Sequence, residues 1–175
     1  MPPWQPVAGH GDFLGERRLT DEEIGLFKEW VATGRQKGDP ADLPPMPSFP
    51  ERWPLGEPDL IVKMDRPYSI PADGPDIYRN FVIDTGVTAE TWIRAIDVKP
   101  STPQVVHHVI VFGDGMGMAK AMDKRDEEPG FAEMIPPSNM LGGYVPGADP
   151  IKLPDDLSLR LAGNMPLVLQ THFHP

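Results

Sequence analysis

The chain has 175 residues, a length that suits one β-sandwich-sized domain with a smaller appendage. Its net charge of −10 argues against binding to nucleic acid or to an anionic membrane surface, because both need clustered Lys and Arg. The absence of Cys excludes disulfides, thiolate metal sites and C-x-x-C-H haem attachment within this chain. No stretch approaches 18 apolar residues, so we expect no membrane insertion.

One helix is predicted near the start, after an irregular segment, residues 1–19. Thr20 and Glu23 match a capping box, acidic residues occupy the first turn, and Gly34 supplies a stop. Apolar residues then recur at helical spacing. Residues 39–58 contain seven of the 23 prolines and are typical of a semi-rigid linker, so we expect a domain boundary there.

Short strands are predicted for the rest of the chain. Each apolar run is bounded by Pro, Gly or Asp, and no helical pattern separates most of them. The fold class is therefore predicted as mainly β, an antiparallel sandwich or jelly roll with one N-terminal helix. A long insertion, residues 113–156, is expected to be functional or poorly ordered, with a helical turn or two at 120–128. The predicted strands are 60–64, 77–83, 91–99, 104–112, 157–161 and 167–173.

Histidine is rare and clustered. Of the five His residues, four fall in or directly after two predicted strands, as His107-His108 and as His172-x-His174. Imidazole suits Cu, Zn, Fe and Ni, and a multi-His site is the metal site that remains open to a chain without thiolates. The fifth, His10, lies between glycines and is predicted to be a surface or turn residue.

The adjacent pair His107-His108 conflicts with a regular strand, in which neighbouring side chains point to opposite faces. Both rings reach one ion only if the strand is irregular there, by a bulge or at an edge. Their Cα atoms, about 3.8 Å apart, would then place the imidazoles on roughly opposite sides of the ion. With one distant His, this near-linear pair predicts a T-shaped three-nitrogen site, which suits Cu(I) better than Zn(II).

His172 and His174 share one face of their strand with Val168 and Gln170, because strand side chains alternate with period two. One reading takes a single ligand from this pair. A competing reading takes both, in a mononuclear Fe or Zn site of cupin type. A third treats every histidine as structural, in a β-sandwich that acts as a binding or accessory module.

Two other groups of residues have a plainer interpretation. Five Met between residues 116 and 140 are predicted to be gap-fillers and exposed loop residues rather than Cu(I) ligands, since their spacing does not repeat. No carboxylate stands in a recognisable sequence pattern with a base or nucleophile, and no phosphate loop or dinucleotide fingerprint occurs. No catalytic residue is therefore predicted within the chain.

Three motifs resemble one family. Residues 105–113, VVHHVIVFG, resemble the V-x-H-H-x-x-x-F-G signature of the copper type II, ascorbate-dependent monooxygenases, the family of peptidylglycine α-hydroxylating monooxygenase and dopamine β-hydroxylase. Residues 143–147, GYVPG, with 152–154, KLP, resemble its Y-x-P-G and L-P elements. Residues 167–173, LVLQTHF, resemble its L-Q-x-H-aromatic strand.

The resemblance implies a jelly-roll domain in which His107, His108 and His172 hold one copper. In that family this copper passes electrons to a second copper, where oxygen is activated and substrate is hydroxylated. The second copper belongs to a following domain, which is the expected partner and lies outside this chain. The chain alone is therefore expected to carry electrons within a two-copper, O2-dependent monooxygenase and to lack its catalytic copper site.

The first residues resemble something else. They are similar to the C-terminal half of a bacterial cytochrome c domain, and the similar residues are Met1-Pro2-Pro3-Trp4, 11–13, 18–23 and 30–31. The resemblance implies a piece of a longer periplasmic or extracellular protein, with haem attached only upstream of this chain. The electron donor is then that haem or an ascorbate-like reductant. The predicted domains are 1–38, cytochrome c-like; 39–58, linker; and 59–175, copper-binding β-sandwich.

Overall fold

The computed structural model divides the chain into two compact units, Met1–Ser48 and Phe49–Pro175. The boundary between them lies inside the Pro-rich tract, residues 39–58. The segment Met1–Trp4, on which the cytochrome c resemblance partly rests, is outside the described residues. Within the described part of the chain, no helix has the length and apolar character needed to cross a membrane. The structure describes residues 7, 9–13, 16, 18–48 and 53–175.

The first unit contains the predicted helix, α1, Asp21–Ala32. Its capping box is confirmed: Thr20 Oγ1 accepts a hydrogen bond from the Glu23 backbone N–H at 3.2 Å, and the Thr20 N–H donates to Glu23 Oε2 at 2.7 Å. Gly34, with φ of 91°, follows the end of the helix. A short 3₁₀ helix spans Pro40–Asp42.

The second unit is mainly β and its strand pairs are antiparallel. The strands are β1 Ile77–Ile83, β2 Thr91–Ile93, β3 Ala95–Ile96, β4 Val106–Gly113, β5 Met140–Tyr144, β6 Ile151–Lys152, β7 Leu159–Leu161 and β8 Leu167–Phe173. One four-stranded sheet has the order β1-β8-β4-β5, and two small sheets pair β2 with β7 and β3 with β6. One short helix, α2, spans Met118–Asp123, and a 3₁₀ turn spans Pro103–Val105.

The predicted strands at 77–83 and 167–173 are confirmed at their stated bounds. The predicted strand at 91–99 is two short strands, β2 and β3, separated at Arg94. The prediction at 60–64 was wrong: these residues form no ladder, and Leu60 and Ile61 are about half exposed, at 51% and 47%. Apolar character there does not reflect burial in a sheet.

The insertion at 113–156 is more ordered than its composition suggests. It contributes β5, which pairs with β4, and β6, which pairs with β3. Gly143 lies in β5 where an added Cβ would come within 2.6 Å of the Val109 carbonyl oxygen, so the close strand approach requires glycine. The helix predicted at 120–128 begins earlier and is shorter, as α2.

The four-stranded sheet is covered on both faces. The first cluster joins it to residues of the small sheets, and the second cluster joins it to α2 and the segment after α2. The central strand β8 contributes to both, which explains why its side chains are buried on alternate faces. The first cluster consists of Phe81, Val106, Val109, Val111, Leu141, Leu161, Met165, Leu167 and Phe173, and the second of Phe112, Ala119, Phe131 and Val168.

The face that carries the second cluster changes character along the strands. Cross-strand pairing places Val82, Val168 and Phe112 in one apolar row. The next row pairs Gln170 with Asn80 of β1, and the Gln170 side-chain amide donates to Asn80 Oδ1 at 3.1 Å. The third row, at the end of the sheet, is Tyr78, His172 and His108. This face therefore runs from a closed apolar end to an open end lined by imidazoles.

Candidate metal centre

A β-bulge brings the two adjacent histidines together. Val106 pairs with Phe173 and His108 pairs with His172, so β4 advances two residues where β8 advances one. His107 is the extra residue. Val106 faces the first cluster while His108 lies in the row of His172, which would be impossible in a regular strand, where residues two apart share a face. The irregular backbone that the sequence required at this pair is confirmed.

Three imidazoles meet at this bulge. The ring centroid of His172 lies 4.6 Å from that of His107 and 5.0 Å from that of His108. One nitrogen from each ring falls within 4.8 Å of the others, an arrangement that can hold a metal ion. His172 is buried, His108 half-buried and His107 exposed, so the site is open to solvent on the β4 side.

The two neighbouring rings face each other through the same atom type. Nδ1 of His107 and Nδ1 of His108 are 3.1 Å apart. Ligands on opposite sides of an ion would be about 4 Å apart at metal–nitrogen distances of about 2.0 Å. The observed pair is therefore bent, and the near-linear pair predicted from the sequence is not what the structure shows. Separating the rings by about 1 Å would open the angle fully.

His172 has one free nitrogen. Its Nε2 is 2.7 Å from Oδ2 of Asp76, the residue immediately before β1. Its Nδ1 is buried and has no hydrogen-bond partner among the described residues. A neutral imidazole carries its proton on one nitrogen and its lone pair on the other, so a proton on Nε2 leaves Nδ1 as the ligand atom. The unpartnered nitrogen thus fits a metal.

The site favours neutral imidazole at His108. Burial lowers the pKa of His108, and the nearby His172 and His107 rings lower it further. Neutral imidazole is the form that binds metal ions, so the lowered pKa extends toward lower pH the range in which this ring can bind one.

His174 has a different environment from the other three. Its side chain is 71% exposed, and its Nδ1 lies 2.6 Å from Asp76 Oδ1, the second oxygen of the carboxylate that binds His172. The backbone N–H of His174 donates to the Val105 carbonyl at 2.8 Å, which holds the end of β8 in place. The pair His172-x-His174 therefore shares a carboxylate instead of pointing at one common ion.

One important residue was missed at the sequence level. Asp76 stands in a run of turn-forming residues, PADGPD, and gave no signal of its own. Its role depends on the pairing of β1 with β8, which brings Ile77 opposite Phe173. The stacking of Tyr78 on His172, with centroids 4.2 Å apart, follows from the same register.

The remaining candidates are not part of the group of three imidazoles. His10 is exposed, as predicted. Met122 packs against the second cluster, as a gap-filler does. Other methionines of the insertion are exposed: Met116, Met118, Met134 and Met140.

Comparison with known proteins found no matching family model and no matching curated sequence.

Proposed function

We propose that the second unit is the copper-binding electron-transfer domain of a two-copper, O2-dependent hydroxylating monooxygenase. The observation that carries the proposal is the bulge at His107, which gathers His107, His108 and His172 on one face. These three residues are the ones that the family motifs match. A chance His-His pair in a regular strand would have placed its rings on opposite faces.

The donor set is compatible with copper. It consists of three imidazoles, with no thiolate and no carboxylate in the group. Three nitrogens with an open position suit copper, which is stable with few ligands as Cu(I), and they equally match a three-His zinc site that keeps an open position, so the choice of copper rests on the family motifs. When bound, copper supplies a one-electron carrier through its Cu(I) and Cu(II) states.

The protein's own residues orient the site and limit its access. Asp76 accepts a hydrogen bond from His172 and fixes that ring, while Tyr78 stacks on the ring. The second cluster closes the apolar end of the same face, so water reaches the site from the His107 side. Contacts of this kind hold the tautomer and orientation of a ligating ring and raise its basicity toward a bound metal.

The rest of the proposal follows the family resemblance. The antiparallel sheets belong to a jelly-roll sandwich, and a second copper domain performs oxygen activation and hydroxylation. An upstream cytochrome c haem or an ascorbate-like reductant supplies electrons, and the protein works in the periplasm or outside the cell. The enzymatic activity belongs to the assembled monooxygenase, with this unit as its electron carrier.

Anaerobic Cu(I) titration against a competing chelator tests the proposal. We expect one Cu(I) per wild-type chain and a loss of affinity in His108→Ala that exceeds the roughly 10- to 100-fold typical of losing an outer partner. His10→Ala is the matched control, because it removes an exposed imidazole outside this group. Equal stoichiometry and affinity for wild type and His108→Ala would overturn the proposal.

The same titration addresses the cupin-type alternative. That site would need His174 as a direct ligand and would prefer Fe or Zn. In the structure the His174 ring is hydrogen-bonded to Asp76. It is not part of the metal-competent group, which consists of His107, His108 and His172. Binding of Fe or Zn that disappears in His174→Ala and persists in His108→Ala would favour the alternative.

A further inference from the structure

The carboxylate of Asp76 is shared between two imidazoles. Oδ2 lies 2.7 Å from His172 Nε2, and Oδ1 lies 2.6 Å from His174 Nδ1. Each carboxylate oxygen therefore binds one ring, and the two histidines lie two residues apart, one in β8 and one just after its end. Asp76 itself precedes β1, the neighbour of β8. This arrangement links the start of β1 to the end of β8 through side chains.

The two imidazoles differ in burial, and the difference indicates their roles. The His172 side chain is 8% exposed and belongs to the metal-competent group, whereas the His174 side chain is 71% exposed and does not. The exposed His174 ring is outside the group of three imidazoles, but it can hold a carboxylate that acts on the buried ring. His174 is itself fixed by its backbone bond to Val105.

We propose that Asp76 and His174 are positioning residues that set His172 as an Nδ1 ligand. Asp76 accepts a hydrogen bond from the Nε2–H of His172 and so selects the tautomer whose lone pair lies on the buried, unpartnered Nδ1. His174 donates to the other oxygen and keeps the carboxylate in that position. The role of His172 as a metal ligand rests on the proposed function, whereas the selection of its tautomer does not.

The selection makes the three ligand atoms alike. His107 and His108 already face each other through Nδ1. If His172 carried its proton on Nδ1, the buried side of the group would present an N–H where a lone pair is needed. The Asp76 carboxylate disfavours that tautomer, because it lies beside Nε2 and accepts a hydrogen bond from a proton there.

Two measurements on the full chain test the proposal. The first is ¹⁵N NMR of the metal-free protein at mildly alkaline pH, where imidazole is neutral and its two nitrogens report the tautomer. We expect His172 to be in the Nε2–H form in wild type and in a mixture of forms in Asp76→Ala. The second is Cu(I) affinity, which should fall about 10- to 100-fold in Asp76→Ala and less in His174→Ala.

Two further variants make the result specific. Asp76→Asn retains an oxygen that can accept from Nε2 without the charge, so its affinity should lie between wild type and Asp76→Ala, and it serves if Asp76→Ala does not fold. Asp73→Ala is the matched control, because it removes an exposed carboxylate from the same turn and should bind Cu(I) like wild type.

The outcomes separate the two proposals. One outcome is that wild type binds Cu(I) normally, while Asp76→Ala and Asp76→Asn change neither the His172 tautomer nor the Cu(I) affinity. That outcome overturns the positioning role and leaves the copper assignment standing. A wild-type chain that binds no Cu(I), but whose His172 tautomer depends on Asp76, overturns the copper assignment and supports the selection of Nδ1.

Discussion

His108 of β4 lies directly opposite His172 of β8 in the antiparallel register. Opposed residues share a face, so these two imidazoles are brought together by strand pairing alone. His107 joins them only because it is the extra residue of a bulge. The site therefore has two histidines placed by the regular sheet and a third placed by its interruption, and this difference leads to the first prediction.

We expect His107 and His172 to separate metal binding from stability. In His107→Ala the Cu(I) affinity should fall, while the free energy of unfolding of the metal-free protein changes by no more than about 0.5 kcal/mol, because the side chain is exposed. In His172→Ala affinity should fall and stability should drop by about 1–3 kcal/mol, since Asp76 and Tyr78 lose their contacts with a buried ring. Urea unfolding of both metal-free variants checks this, and equal destabilisation by the two would contradict it.

The second prediction concerns Gly130, where the segment after α2 meets β1. Its φ is 75°, and an added Cβ would lie 2.4 Å from the Asn80 carbonyl oxygen. The next residue, Phe131, is fully buried and exchanges backbone hydrogen bonds with Asn80 at 2.9 and 3.0 Å. We expect Gly130→Ala to destabilise the protein by about 3 kcal/mol, through left-handed strain and displacement of this bridge.

Gly86→Ala is the matched control for that variant. Gly86 has a similar φ of 71°, but an added Cβ there would meet nothing within 4 Å. Its cost should be the conformational strain alone, about 1–2 kcal/mol. Thermal unfolding of the two variants gives the comparison. If both lose the same stability, the contact with Asn80 has no energetic weight.

Much of the candidate site could be predicted from the sequence because histidine is rare in the chain, and three of the five His residues lie in the family motifs. The motifs around His107-His108 and His172 predicted the three candidate ligands. The alternation of side chains along a strand predicted the bulge. The role of Asp76 could not be predicted, since it depends on which strand lies beside β8. The apolar run at 60–64 misled because periodicity does not report whether a pairing partner exists.

The mainly β, antiparallel class of the fold could also be predicted from the sequence. Strands β1 and β8 are seven-residue segments rich in residues of high strand propensity and are preceded by Pro or Asp, so their bounds were predicted correctly. Strand β5, MLGGY, was hidden by its glycines, which have low strand propensity. Those glycines are required by the close approach to β4, for example at Gly143. Local propensity and tertiary packing therefore point in opposite directions in this strand.

The third prediction is an acid-sensitive ion pair. The buried Arg79 guanidinium lies 2.9 Å from Asp126, and its hydrogen bond, with one from the Glu128 backbone N–H, lowers the pKa of the Asp126 carboxyl below the ordinary 3.8. A lowered folded-state pKa means that the stabilisation is present above the unfolded-state value and is lost as pH falls through the folded-state value. Asp126→Asn should therefore lower the Tm near neutral pH, and the gap from wild type should close in acid.

Thermal unfolding from neutral pH into strong acid, through the unfolded-state and then the lowered folded-state pKa, checks the Asp126 prediction. Glu127→Gln is the control, because it removes a neighbouring exposed carboxylate. Its Tm should follow the wild-type curve closely. Parallel curves for wild type and Asp126→Asn over the whole acid range would show that the ion pair does not account for the acid sensitivity.

The last prediction links the metal to folding of the second unit. A ligand that binds only the folded state at about 100 times its Kd adds about 2.7 kcal/mol to the free energy of unfolding. Because His108 and His172 lie on neighbouring strands, the ion should also tie β4 to β8 and slow amide exchange along both. Cu(I) should thus raise the Tm of wild type and shift His108→Ala much less at the same concentration.

Thr20→Ala serves as the control for that measurement. It removes the cap of α1 and should lower helix stability by about 1 kcal/mol, as seen by circular dichroism. Since α1 belongs to the first unit and the three imidazoles to the second, the Cu(I)-induced shift should be the same in Thr20→Ala as in wild type. An equal Cu(I) shift in His108→Ala would mean that the ion stabilises the protein from somewhere other than the bulge.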